Sequence, residues 1–346
     1  MYERKIVKAK NRVLENGKIH FGTFDSVPEN IDIRGLRKPF GLLPLPIFST
    51  NTRVRSSVAF KFSTEKFLGF FQIFNTRFLT YGEFVLFDTQ NKQRYIVRKF
   101  SFNFKRIISF STKTGGCVFF RHNFHVRINW TGEKLNVFMR FNQYKTPVAL
   151  HFTCERHSEE VGEISACLPE KVMRRCRVFH QIGGRFLGKV KVGSETDSAA
   201  TALCFFETRH AYYELLFNKR NICGFGVVGE KSLMFSLSQS SLDSADRYEF
   251  NDNTLTVDGK VFCLPPVKMT AEYGLEKKWV IQDTENMVDL TFTPDQKSKY
   301  GLSAFIFHLD SSILAGTFEG AFFLKDGESI TIKDLPGLGY NVRLRL

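Results

Sequence analysis

Apolar and polar side chains alternate with a period of two along much of this chain, and that pattern constrains the fold more than any other sequence feature. In the segment 120–130 the apolar positions are Phe120, Phe124, Val126, Ile128 and Trp130. Because successive side chains point to opposite faces of a strand, the segment predicts a half-buried strand with a cationic outer face. After the turn TGE, residues 135–141 alternate in the same way and predict the second strand of a hairpin.

Similar short strand-like segments continue to the C-terminus, and the dipeptides Asp258-Gly259 and Asp326-Gly327 lie between such segments. Asp-Gly is a strong signal for the type I′ turn that joins two hairpin strands. No amphipathic pattern longer than about three helical turns is present. The sequence therefore predicts an all-β fold, and its 346 residues predict two domains, which we place at residues 1–181 and 182–346.

Charge differs sharply between the two parts of the chain. Residues 1–150 hold 26 Lys and Arg against 9 Asp and Glu, a net charge of +17, whereas the remainder holds 23 against 26, a net charge of −3. A basic half favours an anionic partner, whether a phosphate-bearing ligand, an acidic membrane surface or nucleic acid. Alternatively, these cations only solvate the outer faces of strands and deter edge aggregation.

Nucleic acid is disfavoured among these partners. A stacking platform needs aromatic and cationic side chains on one exposed face, whereas alternation sends Phe and Arg to opposite faces. Phe138, which shares a face with Arg140 and Lys134, is the local exception.

Residues 33–48, IRGLRKPFGLLPLPIF, are both apolar and rich in proline. The prolines break a helix, and the apolar run is too short to span a membrane. We predict an extended lead-in segment, residues 33–48, that precedes the strands beginning near Arg53 and lays these side chains along the first domain: Phe40, Leu42, Leu43, Leu45 and Ile47. Its cations, Arg34, Arg37 and Lys38, are candidate ligand-binding residues for an anionic head group.

The N-terminal residues are charged and lack the apolar core of a signal peptide, and no apolar run approaches a membrane span. These features predict a cytoplasmic protein. The seven cysteines are scattered and form no C-x-x-C pair, which predicts reduced and mostly buried thiols.

Motifs for cofactors and metals are weak. GFGVVG, residues 224–229, fits the dinucleotide-binding pattern, but a strand-like segment follows it where a helix is required. His122 and His125 would face opposite ways on a strand, as would His151 and Cys154. We therefore predict neither a cofactor nor a metal.

The segment ETRHAYY, residues 207–213, is the densest polar and aromatic cluster in an apolar region. If it faces a cavity, Glu207 and Arg209 orient a polar group of a ligand while Tyr212 or Tyr213 donates a hydrogen bond. His210 lies in the same candidate set. The alternative is a strand end with one surface ion pair.

Several segments together resemble the domain-of-unknown-function family 2804. They are WVIQDTENMVDLTFTP and GTFEGAFFLKDGESITIKDLPG near the C-terminus, NIDIRGLRKPFGLLPLP near the N-terminus and EISACLPEKVMRRCRVF in mid-chain. The resemblance implies two lipocalin-like, or calycin-like, antiparallel β-barrel or sandwich halves in tandem. Carotenoid hydratases and a yeast survival factor associated with sphingolipids are similar at the fold level. Trp279, which opens the C-terminal segment, joins the candidate ligand-binding residues.

The chain departs from that family around residue 207. Arg209 is kept, the usual acid falls on Phe206 or is displaced to Glu207, and His210 replaces a glycine. The family brings no assigned activity, and these departures leave catalysis by this segment in question.

Three functional hypotheses follow. The first is a binder of a hydrophobic ligand, a lipid or isoprenoid, in a β-barrel cavity: the mouth of one barrel holds the tail, and the cations of the lead-in segment meet the head group. The second is a hydratase or isomerase with Glu207 or Asp289 as acid or base and Tyr213 assisting. The third is a peripheral binder of an anionic membrane or nucleic acid through the basic strands of residues 92–145.

Overall fold

The computed structural model describes residues 2–41, 45–102, 105–143, 145–171, 174–197, 202–212, 216–304, 307–325 and 327–345. They form two compact units, the first comprising Ile6–Tyr213 and the second comprising Met1–Lys5 together with Glu214–Leu346. The regular secondary structure of both units is almost entirely strand, which confirms the all-β prediction.

The first unit contains one short helix and sixteen strands among its described residues. They are β1 (Ile6–Val7), β2 (Leu14–Glu15), β3 (Lys18–Ile19), β4 (Gly22–Phe24), α1 (Ile47–Thr52), β5 (Val54–Ser63), β6 (Phe67–Asn75), β7 (Leu79–Asp88), β8 (Arg94–Phe102), β9 (Gly115–Arg121), β10 (Phe124–Trp130), β11 (Lys134–Gln143), β12 (Thr146–Glu155), β13 (Val161–Pro169), β14 (Cys176–Val192), β15 (Glu195–Asp197) and β16 (Ala202–Tyr212).

The main sheet of this unit has the strand order β8-β7-β6-β5-β16-β14-β12-β11-β10-β9. Its two edges approach each other, since Arg121 of β9 donates to the hydroxyl of Ser101 in β8, and Gln143 of β11 accepts from the backbone of Ile96. The sheet is thus a nearly closed barrel. Phenylalanine rings fill its interior, with Phe62 and Phe152 only 4.9 Å apart between centroids.

The second unit contains a nine-stranded sheet that curves into a half-barrel. Its strands are β17 (Leu216–Val228), β18 (Lys231–Ser240), β19 (Thr254–Val257), β20 (Lys260–Cys263), β21 (Lys268–Thr270), β22 (Trp279–Gln282), β23 (Val288–Ala304), β24 (Phe307–Phe323) and β25 (Ser329–Arg345). Their order is β20-β19-β18-β17-β25-β24-β23-β22-β21. The N-terminal residues belong to this unit because buried Arg4 donates to the carbonyls of Asn253 and Leu264 at 2.9 and 2.7 Å.

The division between the units lies at residues 213 and 214 and not at 181 and 182. Residue 181 is in the middle of β14, a 17-residue strand. The first part of β14 pairs with β13 and β16, and its last part pairs with β12. Because one continuous strand ties these partners into a single sheet, the first unit extends through β16.

Two predicted turns have different outcomes. The hairpin β19-β20 has Asp258 and Gly259 at φ of 45° and 76°, the conformation that a type I′ turn requires. Asp326 lies outside the described residues. The GFGVVG segment forms the end of β17 and the start of the turn to β18, so a strand follows it at the place where dinucleotide binding requires a helix.

Phe120 corrects the predicted face of one segment. It lies in β9 and pairs with His125 across a two-residue turn, with Asn123 at φ 60°. Directly paired residues share a face of a sheet, so Phe120 points outward with His125 and is exposed. The apolar set predicted for residues 124–130 is buried as expected.

The lead-in segment is only partly extended. Leu42 and Leu43 lie outside the described residues, and Phe40 packs against the ring of Tyr212. Residues 47–52 instead form α1, whose N-cap is Pro46, and Ile47 is exposed together with Leu45. The prediction that Leu45 and Ile47 lie along the first domain is therefore wrong. A strand does follow at residue 54, but the short strands β1–β4 already precede the lead-in segment.

All seven cysteines are free, and six are buried, with Cys263 partly exposed. Burial raises the pKa of the Cys117, Cys176 and Cys204 thiols, and at Cys154 burial, followed by the charge of Glu163, raises it to about 12. We expect one thiol per folded chain to react rapidly with a chromogenic disulfide reagent at pH 8, and the other six to react after unfolding. The Cys263→Ser variant should lose the fast phase, and three or more fast thiols would contradict the assignment.

Each unit holds one of the two tryptophans. Trp130 is buried in the first unit and donates from Nε1 to the carbonyl of Ser111 at 2.9 Å. Trp279 is buried in the second unit and donates to the carbonyl of Leu275 at 2.8 Å. Each buried indole N–H thus has the partner that burial requires.

Candidate functional site

One end of the first barrel gathers chain segments that are far apart in the sequence. Val54 at the start of β5 pairs with Tyr212 at the end of β16, and Leu79 at the start of β7 pairs with Phe102 at the end of β8. The turn 76–78 joins β6 to β7 there, and α1 directly precedes β5. We call this the cationic end, formed by the described residues 32–41, 45–55, 76–79, 102, 105–110 and 210–212.

The lead-in segment is tied to this end by hydrogen bonds. The hydroxyl of Tyr212 donates to the carbonyl of Ile33 at 3.0 Å, and the backbone N–H of Gly35 donates to Oδ1 of Asn51 at 2.9 Å. The ring of Phe40 meets that of Tyr212 edge to face, with centroids 6.0 Å apart. The segment therefore crosses the strand ends and brings its cations with it.

Guanidinium groups lie over aromatic rings at the cationic end. The Cζ atom of Arg34 is 4.3 Å from the centroid of Phe110, and that of Arg106 is 5.7 Å from the same ring. Arg53 lies 4.8 Å above Phe40. Such cation–π contacts hold a guanidinium in place while its N–H groups stay available to other partners.

The charge of this cluster is positive. Asp32 accepts hydrogen bonds from Arg34, and these bonds raise the pKa of Arg34 against the opposing effect of burial. Arg106 donates to the carbonyls of Asn51 and Val54 at 2.7 and 3.0 Å, while burial and then the charge of Arg34 lower its pKa. Arg34 and Arg106 repel each other, and an anion bound beside them would relieve that repulsion.

His210 and Tyr212 lie beneath these cations on the inner face of β16. Nδ1 of His210 is 2.8 Å from the hydroxyl of Ser56, and its ring is 4.3 Å from that of Phe110. Burial lowers the pKa of His210 to about 3 and raises that of the Tyr212 phenol. Both side chains are neutral at pH 7, so they provide a polar floor and not a strong base.

Arg37 and Lys38 are exposed in the lead-in segment next to this cluster. The backbone N–H of Arg37 donates to the carbonyl of Gly17 at 3.0 Å, and Lys38 has a φ of 50°. The predicted residues Arg34, His210 and Tyr212 are therefore brought together, with Arg37 and Lys38 adjacent in the chain.

Two other predicted residues lie on the opposite face of β16. Arg209 pairs with Glu207, with Nε 2.9 Å from Oε1, and its guanidinium lies over the ring of Phe179. Alternation along the strand separates this pair from His210 and Tyr212. Tyr213, the remaining member of the cluster, lies outside the described residues.

The remaining predicted residues belong to the second unit. Trp279 is fully buried there, with its ring edge to face against Phe292 at 5.7 Å. Asp289 is exposed and accepts a hydrogen bond from Gln282 at 3.0 Å. Trp279 is therefore surrounded like a core side chain, and Asp289 like a solvated carboxylate.

Sequence reasoning missed Arg53, Arg106 and Phe110. Their only sequence signal is that the segments around them lack acids, since residues 33–55 and 89–132 contain no Asp or Glu. Segment 105–110 reaches the site by running from the end of β8 to β9, a path that local periodicity does not encode.

A second buried polar network lies elsewhere in the first unit. Arg156 makes a two-pronged contact with Glu163 at 2.6 and 2.7 Å and donates to the carbonyls of Thr112 and Thr131. His180 lies 3.1 Å from the same carboxylate. Burial opposes ionisation of Glu163, but the hydrogen bonds from Arg156 and His180 prevail and lower its pKa to about 2. Every charge here has a partner, as in a structural network.

Among the described residues, no group of three or more His, Cys, Asp or Glu side chains is arranged to hold a metal ion. The same residues include no helix with the length and apolar character needed to cross a bilayer.

The fold is similar to that of a solved enzyme structure. Kievitone hydratase from Nectria haematococca aligns with a TM-score of 0.51, 8% sequence identity and coverage of 84% of this chain and 88% of that one. The nearly closed barrel and the half-barrel match two lipocalin-like halves in tandem, which confirms the predicted fold class. At this identity the likeness concerns the fold and not the activity.

A family model also matches the C-terminal part of the chain. The family model described as Domain of unknown function (DUF2804) matches residues 223–346. The match confirms the predicted resemblance for the second unit, which contains the VDLTFTP segment. No curated protein matches the chain.

Proposed function

We propose that this protein binds an apolar molecule with an anionic or hydroxylated head group, a lipid or isoprenoid, at the cationic end of the first unit. The observation that carries the proposal is the set of guanidinium groups held over Phe40 and Phe110. Arg34 commits Nε and Nη2 to Asp32, and among the described residues its Nη1 makes no hydrogen bond. That nitrogen is suited to a phosphate or carboxylate oxygen.

The apolar part of the ligand has a place beside these cations. Leu45, Ile47 and Phe48 are exposed in and directly before α1, whose Asn51 contacts both Gly35 and Arg106. The barrel interior beneath is filled by phenylalanine rings. We therefore place the tail along these exposed side chains, and not in the barrel cavity that the sequence predicted, and the head on the arginines.

Hydration or isomerisation of an apolar substrate is the enzymatic alternative, because the structural neighbour is called a hydratase. General acid–base catalysis needs a titrating group within reach of the substrate. Glu207 is paired with Arg209, Asp289 is exposed in the second unit, and His210 has a pKa of about 3. These environments support binding more than proton transfer.

Thermal denaturation with water-soluble amphiphiles tests the proposal. We expect farnesyl phosphate or a short-chain phosphatidic acid, below its critical micelle concentration, to raise Tm, because a ligand that binds the folded state stabilises it. Farnesol should do so less. The Arg34→Gln and Arg53→Gln variants should each weaken binding about tenfold, as expected for one charge-assisted contact.

The matched control is Arg127→Gln, an exposed arginine on the side of the barrel in β10. It should bind like the wild type. Native mass spectrometry of gently purified protein supplies an independent readout. The proposal fails if no lipid co-purifies and no amphiphile raises Tm, or if the control weakens binding as much as the two site variants.

A further inference from the structure

The cationic end carries an unusual concentration of exposed apolar side chains. Among the described residues, three of the four most exposed large apolar side chains are found here: Phe102 at 83%, Phe48 at 70% and Ile47 at 62%. Phe78 and Leu45 are also exposed at this end. A monomeric protein rarely leaves such a cluster uncovered unless it meets an apolar partner.

These side chains come from separate segments and share one end of the barrel for topological reasons. Phe102 ends β8 and pairs with Leu79, the first residue after the turn that contains Phe78. Phe48 lies in α1, which leads directly into β5, and β5 pairs with β6 on the other side of that turn. The cluster therefore lies at the strand ends, where side chains can enter a partner, and not on the flat side of the barrel.

Cations surround the apolar cluster. Segments 33–55, 76–79 and 102–108 contain no Asp or Glu. They contribute the exposed cations Arg34, Arg37, Lys38, Arg53, Arg77 and Lys105. The nearby carboxylate of Asp32 is paired with Arg34. An apolar cluster within an uncompensated positive field is complementary to a surface that is negative outside and apolar beneath.

We propose that the cationic end docks peripherally on an anionic lipid bilayer, with Ile47, Phe48, Phe78 and Phe102 entering the boundary between head groups and acyl chains. The proposal rests on the proposed function, because it makes the bilayer the source of the amphipathic ligand. It moves the membrane-binding surface from the basic strands of residues 92–145 to the barrel end. A single-stranded nucleic acid fits this surface less well, since the aliphatic Leu45 and Ile47 provide no stacking platform.

Vesicle flotation with the full chain tests the docking. We expect the protein to float with phosphatidylcholine vesicles containing about a third phosphatidylserine, to float poorly with pure phosphatidylcholine, and to dissociate as salt rises, because each cation near the surface contributes an electrostatic attraction that salt screens. The triple variant Phe48→Ser, Phe78→Ser, Phe102→Ser should bind at least tenfold more weakly. The double variant Arg37→Gln, Lys38→Gln should lose roughly fivefold per charge.

The matched control is the double variant Phe138→Ser, Leu187→Ser, which removes exposed apolar side chains within β11 and β14 of the same barrel. It should float like the wild type, and circular dichroism confirms that each variant is folded. Equal loss in the control and the triple variant would overturn the proposal. So would tighter binding to single-stranded DNA that the triple variant weakens, since that would assign the surface to nucleic acid.

The flotation experiment can fail or succeed independently of the thermal-denaturation test of the proposed function. If soluble amphiphiles raise Tm but anionic vesicles are not bound, docking is wrong and ligand binding stands. If vesicles are bound but no amphiphile raises Tm, docking stands without the proposed ligand.

Discussion

Replacing Arg156 with methionine is expected to lower the free energy of unfolding by about 3–5 kcal/mol, the usual cost of leaving a buried charge without its partner. Arg156 is almost fully buried and holds Glu163 through two hydrogen bonds. Methionine fills a similar volume but provides no donor, so the carboxylate and the carbonyls of Thr112 and Thr131 lose their partner. Urea denaturation followed by circular dichroism measures the change.

The dependence on pH gives this prediction a second readout. The pKa of Glu163 falls from 4.5 to about 2 in the folded protein. A depressed carboxyl pKa contributes stability that is complete above the unfolded value and is lost as the pH falls through the folded value, here about 3 kcal/mol between pH 4.5 and 2. Burial also lowers the pKa of His180, so that side chain destabilises the fold further as the pH drops below its unfolded value. The difference between wild type and Arg156→Met should therefore shrink in acid.

An exposed ion pair provides the control. Lys113 and Glu29 lie 3.4 Å apart with both side chains largely in solvent. Lys113→Met should change stability by less than about 0.5 kcal/mol, as is usual for surface pairs. A loss below about 1 kcal/mol in Arg156→Met, or one that persists unchanged at pH 2, would show that the network does not stabilise the first unit as argued.

Truncating Trp279 to alanine should cost about 3–5 kcal/mol, because it removes a large, fully buried side chain. The indole packs against Phe292 and donates to Leu275, so a cavity and an unsatisfied carbonyl both result. Trp279→Phe should cost about 1–2 kcal/mol, since much of the packing survives.

The same variants test the predicted ligand-binding role of Trp279. If Trp279 serves only as a core side chain, the Trp279→Phe protein should show the wild-type rise in Tm with farnesyl phosphate. If Trp279→Phe abolishes that rise while its free energy of unfolding matches that of the wild type, Trp279 contacts the ligand and the core role is insufficient.

The fold class follows from the sequence because strand alternation is a local property that survives folding. The division between the units does not follow from the sequence. Strand β14 continues through residue 181, and the strands that pair with β14 come from both earlier and later parts of the chain. The outward face of Phe120 depends on a two-residue turn that sets the register of β9 against β10.

The candidate site was predictable only in part. Arg34, His210 and Tyr212 stand out in the sequence as cations or polar aromatics in apolar surroundings. Phe110 and Arg106 do not, because their role depends on a connection that crosses the barrel end. Arg209 directly precedes His210 in the chain but lies on the opposite face of β16, because successive side chains of a strand alternate between its two faces.

The presence of one tryptophan in each unit gives the chain two built-in optical probes. Trp130 reports from the first unit and Trp279 from the second, and both are shielded from water. In the Trp130→Phe protein all indole emission comes from the second unit, and in Trp279→Phe all of it comes from the first. Comparing the two emission curves during denaturation would show whether the tandem halves melt in one cooperative step or in sequence, without an attached dye.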